Sequence, residues 1–208
     1  MSEQGKRQRA KHDRAATTRA LLDAATAEFA EHGIGGARID RIAERAGSNK
    51  AQIYAYLGNK EQLFARVLAE QSQILSDAVP VDSSNVADYG QRLFDFFLSH
   101  REMVSLIVFE GRHFDPLKVP DRADRADYYG SRRATFARAC AGNADGPSAF
   151  FLLMAAANWY FAAPQIVSMV FGDPQAAETI DRYRRFLGDL GRSLQRGDAS
   201  QESTPDQS

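Results

Sequence analysis

Between Ala46 and Tyr56 the chain reads AGSNKAQIYAY, and helical spacing leaves Asn49, Lys50, Ala51, Gln52, Tyr54 and Ala55 facing outward while Ile53 and Tyr56 point inward. Side-chain amides, an ammonium and a phenol are groups that hydrogen-bond base edges and phosphates, and the two alanines permit close approach. The chemistry on offer is recognition of double-stranded DNA rather than the making of bonds. Other chemistries lack their parts. His12, His32, His100 and His113 are scattered, no H-E-x-x-H occurs, and Cys140 is alone. Glu28 and His32, four apart, read as a surface pair. The cluster Gly33, Gly35, Gly36 follows a helix and lacks the G-K-[ST] ending of a phosphate loop. No Ser-His-Asp set or carboxylate pair stands out, so neither catalytic residues, a metal nor a cofactor is expected.

Two short helices must position those side chains. The first, about 38–46, turns Ile42 and Ala46 inward and offers small Ala43 for close crossing. Gly47 then supplies a left-handed turn, and a second helix runs over about 49–56. An earlier helix, about 15–31, carries Leu21, Leu22, Ala25 and Phe29 at helical spacing and stops at His32-Gly33. A long helix from Lys60 to about Ala78 follows Leu57-Gly58-Asn59, and Gly58 is expected to leave that joint free to turn. Beyond Pro80 the spacing predicts helices at about 85–100, 101–113, 123–141 and 147–163, the last ended or kinked by Pro164, and a final helix after Pro174 to about Gln195.

Composition agrees with this all-α reading: 33 Ala stand against 23 β-branched residues, and Ala loses no side-chain entropy in a helix. The net charge of −1 conceals a basic head, +4 over residues 1–60, and an acidic remainder of −5. The longest apolar run, Ala149–Pro164, is interrupted by Asn158 and too short for a membrane span, so no membrane partner is expected. The first twenty residues are charged rather than apolar, which makes the cytoplasm the expected compartment. Residues 1–14, with Lys6, Arg7, Arg9, Lys11 and Arg14, read as a disordered basic arm whose contact with DNA is open. Residues 197–208 read as a disordered tail.

Over Thr17 to Leu68 the chain resembles the TetR family of bacterial transcriptional regulators. The family's first helix ending in F-x-x-x-G corresponds to Phe29–Gly33, its I-A to Ile42-Ala43, and its A-G-x-x-K-x-x-[LI]-Y-x-[HY]-[FL]-x-[SN]-K-E-x-L to AGSNKAQIYAYLGNKEQL. The resemblance implies a helix-turn-helix over about 38–57 within a DNA-binding domain at 15–58. It places Lys50, Ala51, Gln52, Tyr54 and Tyr56 on the major-groove face and Lys60 on a phosphate. Three positions depart from the pattern: Ser48 where an apolar residue is usual, Leu57 for Phe, and Arg38 for the Ser or Thr before the second helix. Arg38 forgoes a capping oxygen worth about 1 kcal/mol but offers a phosphate its charge.

For residues 59–196 the resemblance implies a helical effector-binding and dimerisation domain, and for the whole a repressor acting by occlusion. Most aromatics there are ordinary bundle core. From their chemistry Phe94, Phe97, Phe109, His113, Met154, Asn158 and Trp159 are expected to line a pocket for a small apolar or amphipathic effector. In the last helix Ala176, Ile180, Tyr183, Leu187, Leu190 and Leu194 recur at intervals of four and three, a narrow helix-packing seam. Those from Ile180 onward, with Phe151 and Ala155, are expected to form a homodimer interface, so that the operator is a near-palindrome. The competing reading is a helical ligand carrier or interaction module with vestigial DNA binding.

Overall fold

The computed structural model describes residues 3–140 and 144–195, with side chains from Asp13 onward. The tail expected at 197–208 and the side chains of Lys6, Arg7, Arg9 and Lys11 lie outside the described residues. Those described form α-helices α1 (Glu3–Gly36), α2 (Ile39–Arg45), α3 (Lys50–Leu57), α4 (Lys60–Ala78), α5 (Tyr89–Ser99), α6 (Arg101–His113), α7 (Arg122–Ala139), α8 (Gly146–Ala162), α9 (Pro164–Phe171) and α10 (Ala177–Gln195). A short 3-10 turn, Val86–Asp88, precedes α5, and no strand occurs among the described residues.

Two compact units result, one within Met1–Ile74 and Glu102–Arg122, the other within Leu75–Arg101 and Ala123–Ser208. The first therefore extends past residue 58, where the sequence reading ends it, because the apolar faces of α4 and α6 belong to its core. Leu21, Ala25, Phe29, Ile42, Ile53, Leu63, Phe64 and Leu106 are buried together there. Phe29 meets Phe64 edge to face with centroids 5.1 Å apart. Backbone helix also reaches back to Glu3, where the reading expected a disordered arm; Ala, Arg, Lys and Gln, all good helix formers, dominate that stretch. The helix breaks at Gly33, where φ is 64° and the ring of Phe109 lies alongside.

In the second unit α5 presents Tyr89, Leu93, Phe94, Phe96 and Phe97 to the interior. α10 approaches so closely that a Cβ on Gly191 would sit 1.9 Å from the Ala87 carbonyl oxygen. Phe94 stacks among Tyr160, Phe161 and Tyr183, with centroids 5.1, 5.1 and 5.6 Å away. The Tyr160 hydroxyl donates to the Pro174 carbonyl (2.8 Å) and the Tyr183 hydroxyl to the Ala156 carbonyl (3.0 Å), so both phenols are satisfied. α9 is an element that sequence spacing did not anticipate. Pro164 ends α8 and opens a new helix at a 91° bend, since a proline costs nothing at a first helical position. Among the described residues no single helix is long and apolar enough to cross a membrane.

Candidate nucleic-acid interface

The turn between α2 and α3 is held by its own backbone. Gly47 takes φ 60°, its N–H donates to the Glu44 carbonyl (3.1 Å), and the Ser48 N–H reaches back to the Ala43 carbonyl (2.9 Å). This paired closure satisfies two of the carbonyls that α2 leaves open and needs a left-handed residue, which explains the glycine. Asn49 then opens α3: its Oδ1 accepts the Gln52 N–H at 3.0 Å. The Ser48 hydroxyl bonds the Gln52 side-chain oxygen, an interaction that an apolar residue at position 48 would forgo.

Buried Ile53 and Leu57 fasten α3 to the core, while Lys50, Ala51, Tyr54 and Ala55 are exposed, Tyr54 by 55%. Arg38 and Asn49 are exposed as well, and Gln52, Tyr56 and Lys60 are half-buried. Tyr56 is thus less an anchor than the sequence spacing expects, with Leu57 in that role. Its ring carries the guanidinium of Arg14 4.7 Å from the centroid. Lys60 Nζ lies 3.4 Å from the Ala37 carbonyl.

Two acidic residues shape this face, Asp40, which the sequence reading did not assign, and Glu28, which it read as half of a surface pair with His32. Asp40, in the first turn of α2, forms an ion pair with Lys50 and lies 3.9 Å from Arg38, so the Lys50 ammonium already has a counter-charge. Glu28 is no surface residue: it is 1% exposed, and its Oε1 accepts the backbone N–H of Arg38 and Nε of Arg41, both at 2.8 Å. The carboxylate thereby satisfies the backbone N–H of the N-cap residue, one of the donors a helix start leaves open, while Arg38 itself makes no side-chain cap. Burial pushes its pKa up, but the bonds from Arg41 and the Arg38 amide, with the Arg41 charge, outweigh that and leave it lowered. An i, i+4 histidine pattern concealed Glu28, and only the fold brings Arg41 to it.

The joint after α3 passes through a glycine into a capped helix start. Gly58 takes φ 79°, ψ −151°, Asn59 Oδ1 accepts the Gln62 N–H (2.8 Å), and Gln62 Oε1 accepts the Asn59 N–H (2.9 Å). This reciprocal cap locks the start of α4.

The residues expected to line one pocket occupy several settings. Phe109 and His113 belong to the first unit, where His113 Nε2 lies 3.9 Å from Glu61. In the second, Phe94 and Phe97 are buried core, Trp159 is exposed, Asn158 is half-buried with an unpartnered Oδ1, and Met154 borders an open cavity between α7 and α8. The expected interface set divides too. Phe151 is exposed, Ala155, Ile180, Tyr183, Leu190 and Leu194 are half-buried, and Leu187 is fully buried in its own protomer. Exposed apolar side chains that the sequence reading did not single out lie on α8, α9 and α10: Leu152, Ile166, Met169, Val170 and Phe186.

Two short helices at a glycine turn, the second capped, anchored by its inner face and bare on its outer one, define a helix-turn-helix DNA-binding protein. The family model for bacterial regulatory proteins of the tetR family matches residues 21–67. The HTH-type transcriptional repressor SCO4008 of Streptomyces coelicolor is 39% identical over 179 residues, covering 80% of this chain and 90% of that protein. The repressor NicS of Pseudomonas putida is 33% identical over 100 residues, 45% of this chain and 47% of its own. Among solved structures, a putative transcriptional regulator from Streptomyces coelicolor, SCO4942, superposes with a TM-score of 0.68 at 27% identity, over 84% of this chain and 97% of that one. The chain belongs to the TetR family and is a DNA-binding transcriptional repressor.

Proposed function

We propose that the protein represses transcription as a homodimer in the cytoplasm, each protomer laying α3 in the major groove of one half-site of a near-palindromic operator, and that a small effector bound by the second unit releases it. The observation that carries the DNA-reading part is the exposed face of Lys50, Ala51, Tyr54 and Ala55 on a helix held at both ends. Arg38, Asn49, Gln52, Tyr56 and Lys60 flank it and supply backbone contacts. Exposed Trp159 and Phe186 support a dimer, since apolar side chains of that size on neighbouring helices are the ordinary content of an interface between copies. Half-sites are then spaced by about one helical turn or a multiple of it. α4 supports transmission, because one helix carries residues of both units.

The test is selection of bound sequences from a random duplex library, followed by gel shifts. Enrichment of a two-fold symmetric motif, bound by the wild type and lost in Lys50→Ala, is the expected result. Recovery of no motif, with affinity that follows only salt and length, refutes sequence-specific repression and restores the carrier reading.

A further inference from the structure

On α7 two consecutive arginines have no acidic partner: among the described residues neither Arg132 nor Arg133 has a carboxylate within 4.0 Å. Arg132 is 8% exposed, and its guanidinium donates to neutral acceptors, the Tyr128 carbonyl (3.3 Å) and the Ser76 hydroxyl (3.2 Å), with the Tyr89 and Tyr128 phenol oxygens also in reach, while its buried Nε–H has no acceptor. It lies 3.5 Å over the Tyr128 ring. A buried cation that lacks a counter-charge is a costly arrangement unless something else supplies the negative charge. The neighbouring phenols do not supply it. Burial pushes the pKa of Tyr89 and Tyr128 upward, so both stay neutral.

Arg133, one residue on, faces an open cavity of about 480 Å³ between α7 and α8. Pro147, Phe150, Phe151 and Met154 form its α8 wall, and Tyr129 with Arg133 stands on α7. Phe150, on the cavity wall, has its ring centroid 6.4 Å from that of Tyr129 and 5.9 Å from that of Tyr89. The cavity is open to solvent, its walls are apolar, and the one ionised lining residue is positive, with a second guanidinium, that of buried Arg132, one residue along α7. A cation entering here meets like charge, a neutral molecule gains nothing from it, and an anion is attracted.

We propose that the cavity binds an amphipathic monocarboxylate, its tail on Phe150, Phe151 and Met154 and its head on Arg133, within the positive field that Arg132 adds. This names the ligand class for the effector-responsive reading and rests on it.

Octanoate, decanoate and dodecanoate, each below its micelle concentration, are titrated calorimetrically into the full chain, beside decanol and decyltrimethylammonium. At least one carboxylate should saturate a single site per chain, decanol should bind at least about tenfold more weakly, and the cation should not saturate. Arg133→Met should bring the carboxylate down to the level of decanol without altering decanol itself. Since Arg133 is exposed, its loss leaves the fold intact, and circular dichroism verifies that; Arg132→Met should reduce the same preference. No saturable carboxylate binding, equal affinity for decanoate and decanol, or an unchanged preference in Arg133→Met overturns the proposal. Dissociation of a dimer in step with decanoate binding also overturns it, by assigning the cavity to a second copy of the chain. A gel shift on the selected operator separates the two readings. Charge-dependent binding that leaves operator affinity unchanged keeps the site and refutes effector release, whereas release by decanoate with no loss in Arg133→Met keeps release and refutes the site.

Discussion

Replacing Gly58 by alanine tests whether the joint between α3 and α4 is fixed. At φ 79°, ψ −151° the backbone occupies a region that is essentially reserved for glycine, and holding alanine there costs on the order of 1–3 kcal/mol. The added Cβ would stand 2.1 Å from Gln62 Oε1, so that side chain must swing away and release the Asn59 N–H, at about 1 kcal/mol more. The total, about 2–4 kcal/mol, is a large part of the roughly 5–15 kcal/mol that holds a typical domain together. At about 2–4 °C per kcal/mol for a chain of this size, the melting temperature should fall by about 5–15 °C. Gly47→Ala is the control: it has φ 60° but open space around its missing Cβ, so it pays only the left-handed strain of about 1–2 kcal/mol. Thermal and urea unfolding followed by circular dichroism measure both variants. A Gly58→Ala protein no less stable than Gly47→Ala refutes the reciprocal lock, and with it the view that α3 is presented at a fixed angle.

Asp40→Asn frees Lys50 and removes a negative charge from the face proposed to meet DNA, so affinity for random-sequence duplex should rise several-fold at low salt in fluorescence anisotropy; an unchanged value means that the ion pair does not restrain the lysine. Phe186→Arg, at a side chain 54% exposed, should give a folded monomer by light scattering, whereas Leu187→Arg, at 0% exposure, should unfold the second unit instead, and a folded Leu187→Arg monomer would show that the two faces of α10 have been exchanged. Because the Glu28 pKa is lowered by folding, the stability it contributes is present above its usual 4.5 and is lost as pH falls through the folded value. The stability gap between wild type and Glu28→Gln should therefore narrow on acidification below that range, and a gap independent of pH contradicts the ionised pair with Arg41.

The helix-turn-helix was legible because its cues are local. Gly47 marks the turn, and Ile42, Ala43 and Ile53 fall on the buried face that their spacing assigns them. The second unit was less legible, because one sequence pattern serves two partners there. Leu187 continues the seam of Ile180 and Tyr183, yet it is sealed inside its own protomer; α10 comes close enough for that only because Gly188 and Gly191 leave room for Gln91 and Ala87. Phe109 and His113 looked like pocket residues by type. Their place beside Gly33 and Glu61 depends on contacts across some seventy-five and fifty residues of chain, which no window of sequence reveals. Pro164 read as an ending because the same residue that breaks one helix is favoured at the start of the next.

The first unit is discontinuous, and this sets an order on its birth at the ribosome. Leu106 lies in its core, Phe114 stands 6.3 Å from Phe64, and Phe109 covers Gly33, so the helices up to α4 have unfilled apolar faces until α6 has been made. About forty residues separate Leu68 from Leu106. At roughly 5–20 residues per second, the nascent head waits about 2–8 s with the side of Phe64 that Phe114 covers still open. During that interval it is a client for chaperones, not yet a reader of DNA. A gene fusion that takes only the matched segment 21–67 would make the wait permanent.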